Sequence, residues 1–259
     1  MRFCIIGHPV SHSLSPMIYT RFFEMKRIDA TYEALDIQTG EFPSVIDGLL
    51  KEYDGLNVTI PFKEAVVAHV DSMIERSLRA VNCIFEGAGH NTDWIGFSHS
   101  LRNIEIEEPV TILGAGGASR AVVYALKRSG VHRVNILNRS PARAERVAED
   151  FNDGNFEVKT FSIDSLRPIV RESKSIVNAT SIGMKGERLD LRREDLQGIS
   201  LVYDLIYSET PLQKVARECG VENVIDGKAM LFFQACENLK IWRLFDEKVF
   251  ERAFEVVTG

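Results

Sequence analysis

The sequence has no long hydrophobic run, no basic stretch, no paired cysteines, no internal repeat and no low-complexity segment. Each absence removes a class. Nothing approaches the ~18 consecutive apolar residues of a membrane helix. The early apolar run Phe3-Cys4-Ile5-Ile6-Gly7 is too short for the core of a signal peptide. Lys and Arg number 31 against 37 Asp and Glu, a formal charge of −6 with no basic patch, so a nucleic-acid partner gains no support. The four cysteines, Cys4, Cys83, Cys219 and Cys236, are scattered, without a CxxC pair. That excludes zinc-ribbon spacing and a disulfide framework, so no metal is expected and the thiols read as packing groups in a cytoplasmic protein. What is present is an ordinary globular composition, 45% apolar and 26% charged over 259 residues. That is enough to build one large or two smaller domains.

Strand-like and helix-like segments alternate. Strands are expected at Phe3–Ile6, Thr31–Ile37 and Gly55–Ile60, and helices after Ser15-Pro16, over Phe42–Tyr53 and from Pro61. Glu86-Gly87-Ala88-Gly89 reads as a hairpin turn. A second series starts beyond the charged stretch at Glu105: strands at Val110–Leu113, Val134–Leu137, Val158–Phe161, Ser175–Asn178, Leu201–Asp204 and Val224–Ile225. Helices follow Gly117 and Ser140, and two more fill Met230–Val257. This rhythm implies parallel βαβ units, with a domain boundary near residues 98–108 and a bridging helix around Ile95–Asn103.

Val110 to Ala121 reads as a buried strand, a glycine-rich turn and a helix start. Gly114 permits the tight turn, Gly116 allows close approach of a pyrophosphate, and the helix N-terminus offers free N–H donors. Ser119 stands at the third glycine position of the usual fingerprint, and a plain βα turn is the competing reading. The next strand ends in Asn138, Arg139, Ser140 and Arg143, where an NAD site would place a carboxylate; arginine favours NADP, unless Arg143 simply lies on a solvated helix face. Three polar stretches also sit at strand ends: Gly7 to Pro16, Gly55 to Lys63, and Ala80-Val81-Asn82 with His90 to Gly96. Their hydroxyls and amides suit a small polyhydroxylated ligand. Lys63 and Asp93 form a candidate acid–base pair, although each taken alone also reads as a surface charge. Ser13 and Ser15 also read as turn and helix-cap residues.

Together these motifs resemble the shikimate dehydrogenase family along essentially the whole chain. Gly7, Pro9, His12, Ser13, Ser15 and Pro16 match its first signature, and Asn57-Val58-Thr59-Ile60-Pro61-Phe62-Lys63 its second. Ala80-Val81-Asn82, Asn91-Thr92-Asp93 with Gly96, Gly114 to Ala121, Asn138-Arg139 and Asn178 to Met184 follow in order. Asp204 with Tyr207, Thr210-Pro211-Leu212, and Gly227 with Met230, Leu231, Gln234 and Ala235 complete the set.

The resemblance implies reversible NADPH-dependent reduction of 3-dehydroshikimate to shikimate, in a monomer or homodimer. It implies an α/β fold: an N-terminal α/β substrate domain over 1–100 and 229–259, and a Rossmann-type doubly wound NADP-binding domain over 101–228. The C-terminal helices would return to the substrate domain, and the active site would lie between the domains. By carry-over, Lys63 and Asp93 are catalytic and also contact substrate, together with Ser13, Ser15, Thr59, Asn82, Tyr207 and Gln234. The cofactor would meet Gly114, Ala115, Gly116, Gly117, Ala118, Asn138, Arg139, Ser140, Arg143, Leu205 and Gly227. Glu75 aligns loosely with an acidic cofactor-side residue. Arg79, Cys83 and Glu209 depart from the family's usual Gly, Thr and Pro. The alternatives are a quinate/shikimate dehydrogenase of relaxed specificity and a catalytically silent module that binds shikimate or NADP; a methylene-tetrahydrofolate-dehydrogenase-like enzyme fits the motifs poorly.

Overall fold

The computed structural model describes all 259 residues. They form two compact units, Met1–Ile95 with Phe232–Gly259, and Gly96–Leu231. The chain passes from one to the other inside helices rather than in loops.

The first unit is built on a six-stranded mixed sheet. In chain order its elements are β1 (Arg2–Gly7), α1 (Ser15–Lys26), β2 (Thr31–Asp36), α2 (Phe42–Glu52), β3 (Gly55–Val58), β4 (Ser72–Met73), β5 (Cys83–Phe85), β6 (Ala88–His90) and the start of α3 (Asp93–Ser100). The strand order is β2-β1-β3-β5-β6-β4. β1 pairs in parallel with β2 and β3, whereas β3-β5 and β5-β6 are antiparallel. The Phe3-Cys4-Ile5-Ile6 run is apolar on both faces because β1 lies inside the sheet with both faces covered.

The C-terminal helices, α8 (Lys228–Ile241, of which Phe232 onward belongs here) and α9 (Glu247–Thr258), complete this unit. α9 packs against α1. Ile18, Tyr19, Phe22 and Phe23 fall on one face of α1 at helical spacing and are buried. Tyr19 stacks on Tyr32 at 4.5 Å between ring centroids, Phe3 meets Trp242 at 4.6 Å, and Phe22 meets Phe250 edge-on at 5.7 Å. Each buried ring contributes about 1.5–3 kcal/mol from apolar burial, so this cluster holds the two ends of the chain together.

The second unit has β7 (Val110–Leu113), α4 (Gly117–Arg128), β8 (Arg133–Asn138), α5 (Pro141–Phe151), β9 (Glu157–Ser162), α6 (Leu166–Arg171), β10 (Ser175–Asn178), β11 (Leu201–Asp204), α7 (Pro211–Glu218) and β12 (Asn223–Ile225). All six strands are parallel, in the order β12-β11-β10-β7-β8-β9. This is the doubly wound arrangement of dinucleotide-binding folds, with its reversal point between β7 and β10. Gly114 and Ala179 leave the sheet side by side at that point.

Several local expectations are corrected. Ser15 is the first residue of α1 rather than its cap. Leu14 stands at the cap, and the Ser13 hydroxyl accepts from the Ser15 N–H at 3.3 Å. Pro61 opens a turn followed by a 3-10 helix, Ala65–His69, not an α-helix. The hairpin is tighter than the four residues suggested. Glu86 and Gly87 both take positive φ, 49° and 76°, the two-residue turn whose twist suits paired strands. The bridging helix starts earlier, at Asp93, and ends at Ser100. β4, α6 and α7 were not anticipated: β4 and α6 are too short to show a period, whereas α7 had a readable start in Thr210 at its cap and Pro211 at its first position.

Beside β10 and α6, Asp195 is fully buried and receives Arg167 Nε at 2.8 Å, the Arg192 N–H at 2.8 Å, and Arg171 Nε. Burial alone would raise its pKa, but the Arg167, Arg192 and Arg171 bonds hold it well below the usual carboxylate range. A carboxylate depressed by folding contributes stability above its unfolded pKa and loses it as pH falls toward the folded value. Asp195→Asn should therefore lower the denaturant midpoint at pH 7. It should also flatten the loss of stability on acidification below about pH 4, the unfolded carboxylate range. Urea melts of both proteins from pH 7 to pH 3 measure this, and parallel acid profiles would refute it.

Candidate functional site

The first unit gathers one cluster of buried polar groups at the C-terminal end of β3, the N-terminal end of β5 and the start of α3. Lys63 arrives on the turn after β3. Its carbonyl accepts from Val81 N–H at 2.8 Å, which binds this turn to the Ala80-Val81-Asn82 segment. Its ammonium Nζ lies 2.6 Å from Asp93 Oδ2, at the first residue of α3. The two side chains are only 12% and 8% exposed, so this is not a surface ion pair held by chance. The other Asp93 oxygen, Oδ1, accepts from Asn82 Nδ2 at 2.9 Å.

Asn82 is oriented by the backbone. Its Oδ1 accepts from the Thr92 N–H at 2.7 Å, a donor that cannot be reversed. Its amide protons therefore face Asp93 and, at 3.0 Å, the Thr92 hydroxyl. Gln234, on α8, brings Oε1 to 3.4 Å from Asn82 Nδ2. Thus Lys63, Asp93, Asn82 and Gln234, predicted from separate motifs, form one connected set.

Ser13 and Ser15 lie just before and at the first residue of α1, and Thr59 directly follows β3. Ser15 is buried and hydrogen-bonds the Tyr32 hydroxyl, which donates to Asn57 Oδ1 at 2.7 Å. Asn57 Nδ2 in turn donates to the Asn82 carbonyl at 3.0 Å. Thr59 is half-buried, and a β-carbon added at Gly7 would stand 2.4 Å from the Thr59 methyl carbon, so that glycine lets the first polar loop lie against the second. His12 is exposed. Sequence reasoning missed Tyr19, Tyr32, Thr92 and Asn238 as members of this network. Asn238 had one visible signal, its position four residues after Gln234 on the same helix face.

The departures from the family pattern have local explanations. Arg79 has φ 49°, a left-handed conformation in which glycine is favoured and an arginine is tolerated with some strain. Cys83 is fully buried and burial pushes its thiol up, so it is unreactive packing. Glu209 is exposed and pairs with Arg217 at 2.7 Å, while Thr210 caps α7 by accepting from Gln213 N–H. Glu75 serves the loop, accepting from the Asn91 N–H at 3.1 Å.

The second unit holds the glycine-rich turn. Gly114 has φ 103° and its N–H donates to Leu137 O at 2.8 Å, so turn geometry itself requires a glycine. Gly116 differs. Its φ is −109°, which any residue adopts, and an added β-carbon would meet nothing within 4 Å. Neither backbone nor packing asks for glycine there. An open approach to the N-terminus of α4 is what the missing side chain provides, and this fits a pyrophosphate. Ala115 is buried beneath the turn, and Gly117 and Ala118 are half-buried in the first turn of α4.

At the end of β8, Asn138 Nδ2 donates to the Ser140 carbonyl at 2.9 Å, which fixes the loop carrying Arg139. Arg139 and Arg143 are exposed, and no carboxylate occurs between 138 and 143. Leu205 and Gly227 are brought together: the Gly227 N–H donates to Ile206 O at 3.1 Å, and a β-carbon on Gly227 would lie 2.1 Å from Leu205 O. Tyr207 is half-buried on the same loop. Asp204 anchors that loop, accepting from Asn178 Nδ2 at 3.0 Å and from the Thr210 hydroxyl at 2.6 Å. Burial raises its pKa from the ordinary carboxylate value, opposed by these bonds. Asn178 and Thr210, which appeared only as motif letters, are loop staples.

These features match known proteins along the full chain. Residues 5–84 match the model described as the shikimate dehydrogenase substrate binding domain, and residues 100–186 the one described as shikimate / quinate 5-dehydrogenase. The chain is 46% identical to the shikimate dehydrogenase of Thermotoga petrophila, over 99% of both chains. It is similar to the crystal structure of shikimate dehydrogenase from Thermotoga maritima, with 45% identity, full coverage of both chains and a TM-score of 0.94. It is also similar to the Thermus thermophilus shikimate 5-dehydrogenase solved in complex with NADP(H) and shikimate, at 32% identity, 99% of each chain and a TM-score of 0.82.

The two glycines separate ligand approach from folding. Gly116→Ala should melt within about 4 °C of the parent, since alanine caps α4 less well than glycine but meets no clash. It should still lose NADP affinity. Gly227→Ala must displace backbone, costing about 1–3 kcal/mol, and should melt lower. Thermal melts with and without NADP measure both, and an unchanged NADP affinity in Gly116→Ala would remove the pyrophosphate assignment.

Proposed function

The chain belongs to the shikimate dehydrogenase family, and we infer that it catalyses the reversible NADPH-dependent reduction of 3-dehydroshikimate to shikimate. The observation that carries this reading is the enclosed Lys63–Asp93 pair, with Asn82 on the second carboxylate oxygen. A ketone reduction needs a proton delivered to one oxygen and fixed donors and acceptors around a polyhydroxylated ring. The first unit supplies both.

NADPH, when bound, supplies the hydride. Gly114 to Ala118 would hold its pyrophosphate, Asn138, Arg139, Ser140 and Arg143 its adenosine phosphate, and Leu205 and Gly227 its nicotinamide side. Arg139 presents a guanidinium with no carboxylate beside it, which suits the 2′-phosphate of NADP and leaves NAD without a ribose acceptor.

Lys63 Nζ gives a proton to the substrate oxygen as it gains negative charge, and takes one back in the oxidation direction. Asp93 holds that ammonium in one rotamer and accepts from a substrate hydroxyl. Asn82 keeps Asp93 turned toward Lys63. Ser13 and Ser15 bind the substrate carboxylate through their hydroxyls, and Thr59, Tyr207 and Gln234 contact the ring. The domain assignment follows: the substrate contacts lie on 1–100 and 229–259 except for Tyr207, which reaches the ring from 101–228, where the cofactor contacts lie. A cytoplasmic location accords with four free cysteines and with the absence of any helix long and apolar enough to cross a membrane. We assign a monomer or homodimer, as the resemblance to the family implies.

The direct test is absorbance at 340 nm with shikimate or quinate and either NADP or NAD. Fast NADP reduction with shikimate alone is the expected result. Comparable rates with quinate or NAD would indicate relaxed specificity, and binding without turnover a silent module. Lys63→Ala should cut turnover by about 10²- to 10⁴-fold, the usual worth of a positioned acid–base group, with shikimate binding nearly unchanged. Equal losses of binding and turnover would leave Lys63 a binding residue only. Arg139→Ala should weaken NADP far more than NAD, and equal weakening would remove the phosphate contact.

A further inference from the structure

The polar loop between β1 and α1 has no regular structure of its own, yet it carries Ser13. From residues 8–13, hydrogen bonds reach other segments at two places. The His8 N–H donates to Ile60 O at 2.9 Å, and the Asp36 carboxylate takes the rest. Asp36 ends β2 directly opposite Gly7, the end of β1, so it stands where the loop departs. Its Oδ1 meets His8 Nδ1 at 2.5 Å, and its Oδ2 accepts from the Val10 N–H at 3.3 Å. The His8 bond, aided by the Val10 N–H, holds the Asp36 carboxyl below its ordinary range. An ionised carboxylate only accepts, so His8 Nδ1 carries the proton between them.

From Val10 the constraint passes to Ser13. Val10 is buried, and its carbonyl accepts from the Ser13 N–H at 3.0 Å. The Ser13 hydroxyl accepts from the Ser15 N–H at 3.3 Å, which leaves its own proton for an acceptor outside the loop. We propose that Asp36 is a positioning residue: by holding Val10 it sets where Ser13 presents its hydroxyl proton to the substrate carboxylate. An exposed ion pair by itself contributes little. The His8 contact matters here because it turns the carboxylate so that its second oxygen lies on the Val10 N–H. Ser15 is held separately, through the Tyr32 hydroxyl, so loss of Asp36 falls on Ser13. This rests on Ser13 being a substrate ligand, as proposed above.

A double-mutant cycle with a rescue variant tests it. Asp36→Ala should raise shikimate KM about tenfold, the worth of one hydrogen bond to a charged group, with kcat and the KM for NADP changed much less. Asp36→Asn keeps the size and an acceptor for the Val10 N–H, and its amide can face a neutral His8. It should hold KM within about threefold of the parent, as a neutral hydrogen bond in the same place would. If Asp36→Asn is as impaired as Asp36→Ala, the charge acts rather than the placement of the loop, and the proposal fails. In a Ser13→Ala background, Asp36→Ala should add no further rise in KM, because the hydroxyl it positions is gone. If the two effects multiply instead, Asp36 acts by another route, and the proposal fails while Ser13 remains a ligand. If Ser13→Ala leaves KM unchanged, Ser13 is not a substrate ligand, and both readings fall together. Should Asp36→Ala not fold, Asp36→Ser, whose hydroxyl ends one bond short of the carboxylate oxygens, enters the same cycle with the same outcomes.

Discussion

The first unit depends on one hydrogen bond that has no alternative direction, from the Thr92 backbone N–H to Asn82 Oδ1. A side-chain amide can turn over, but a backbone N–H cannot become an acceptor. Once Asn82 is fixed, Asp93 receives a proton donor on one oxygen and Lys63 on the other. In a buried setting such a network either satisfies every member or destabilises the site. The proposed acid–base pair of Lys63 and Asp93 is therefore oriented before a ligand arrives, which is the condition for a proton transfer that needs no rearrangement.

The second unit solves a different problem. A pyrophosphate needs open backbone N–H groups at a helix start, and that opening has to survive folding. Gly114 turns the chain in a conformation other residues avoid, and Gly116 leaves space that nothing in the protein fills. The loops beyond β10 and β11 are held from beneath by Asn178, Asp204 and Thr210, whose polar atoms are spent on one another. These residues shape the site through position, which is why their chemistry looked unassigned when only their types were known.

Much of the architecture was legible because hydrophobic periodicity reports it directly. The six parallel strands of the second unit and the two C-terminal helices were anticipated from apolar runs and glycine breaks. The failures were local. Ser15 looked like a cap because Ser-Pro usually starts a helix one residue later, but the Ser13 hydroxyl had already met the Ser15 N–H. Pro61 suggested an α-helix, yet the Phe62 N–H closes a turn back onto Thr59 O and the Lys63 carbonyl accepts from the Val81 N–H, and only a 3-10 turn forms beyond them. β4 spans two residues and has no period to detect.

The sequence by itself determined the family, the fold class and the residue types of the site, because ordered motifs and strand–helix alternation survive without coordinates. It placed Lys63, Asn82, Asp93 and Gln234 in four separate segments. Only the tertiary structure decided that they touch, which way each amide faces, and that Thr92, Asn238 and Tyr19 stand behind them. The reason is physical: the direction of a buried hydrogen bond is set by its neighbours in space, and those neighbours lie up to 219 residues apart along the chain.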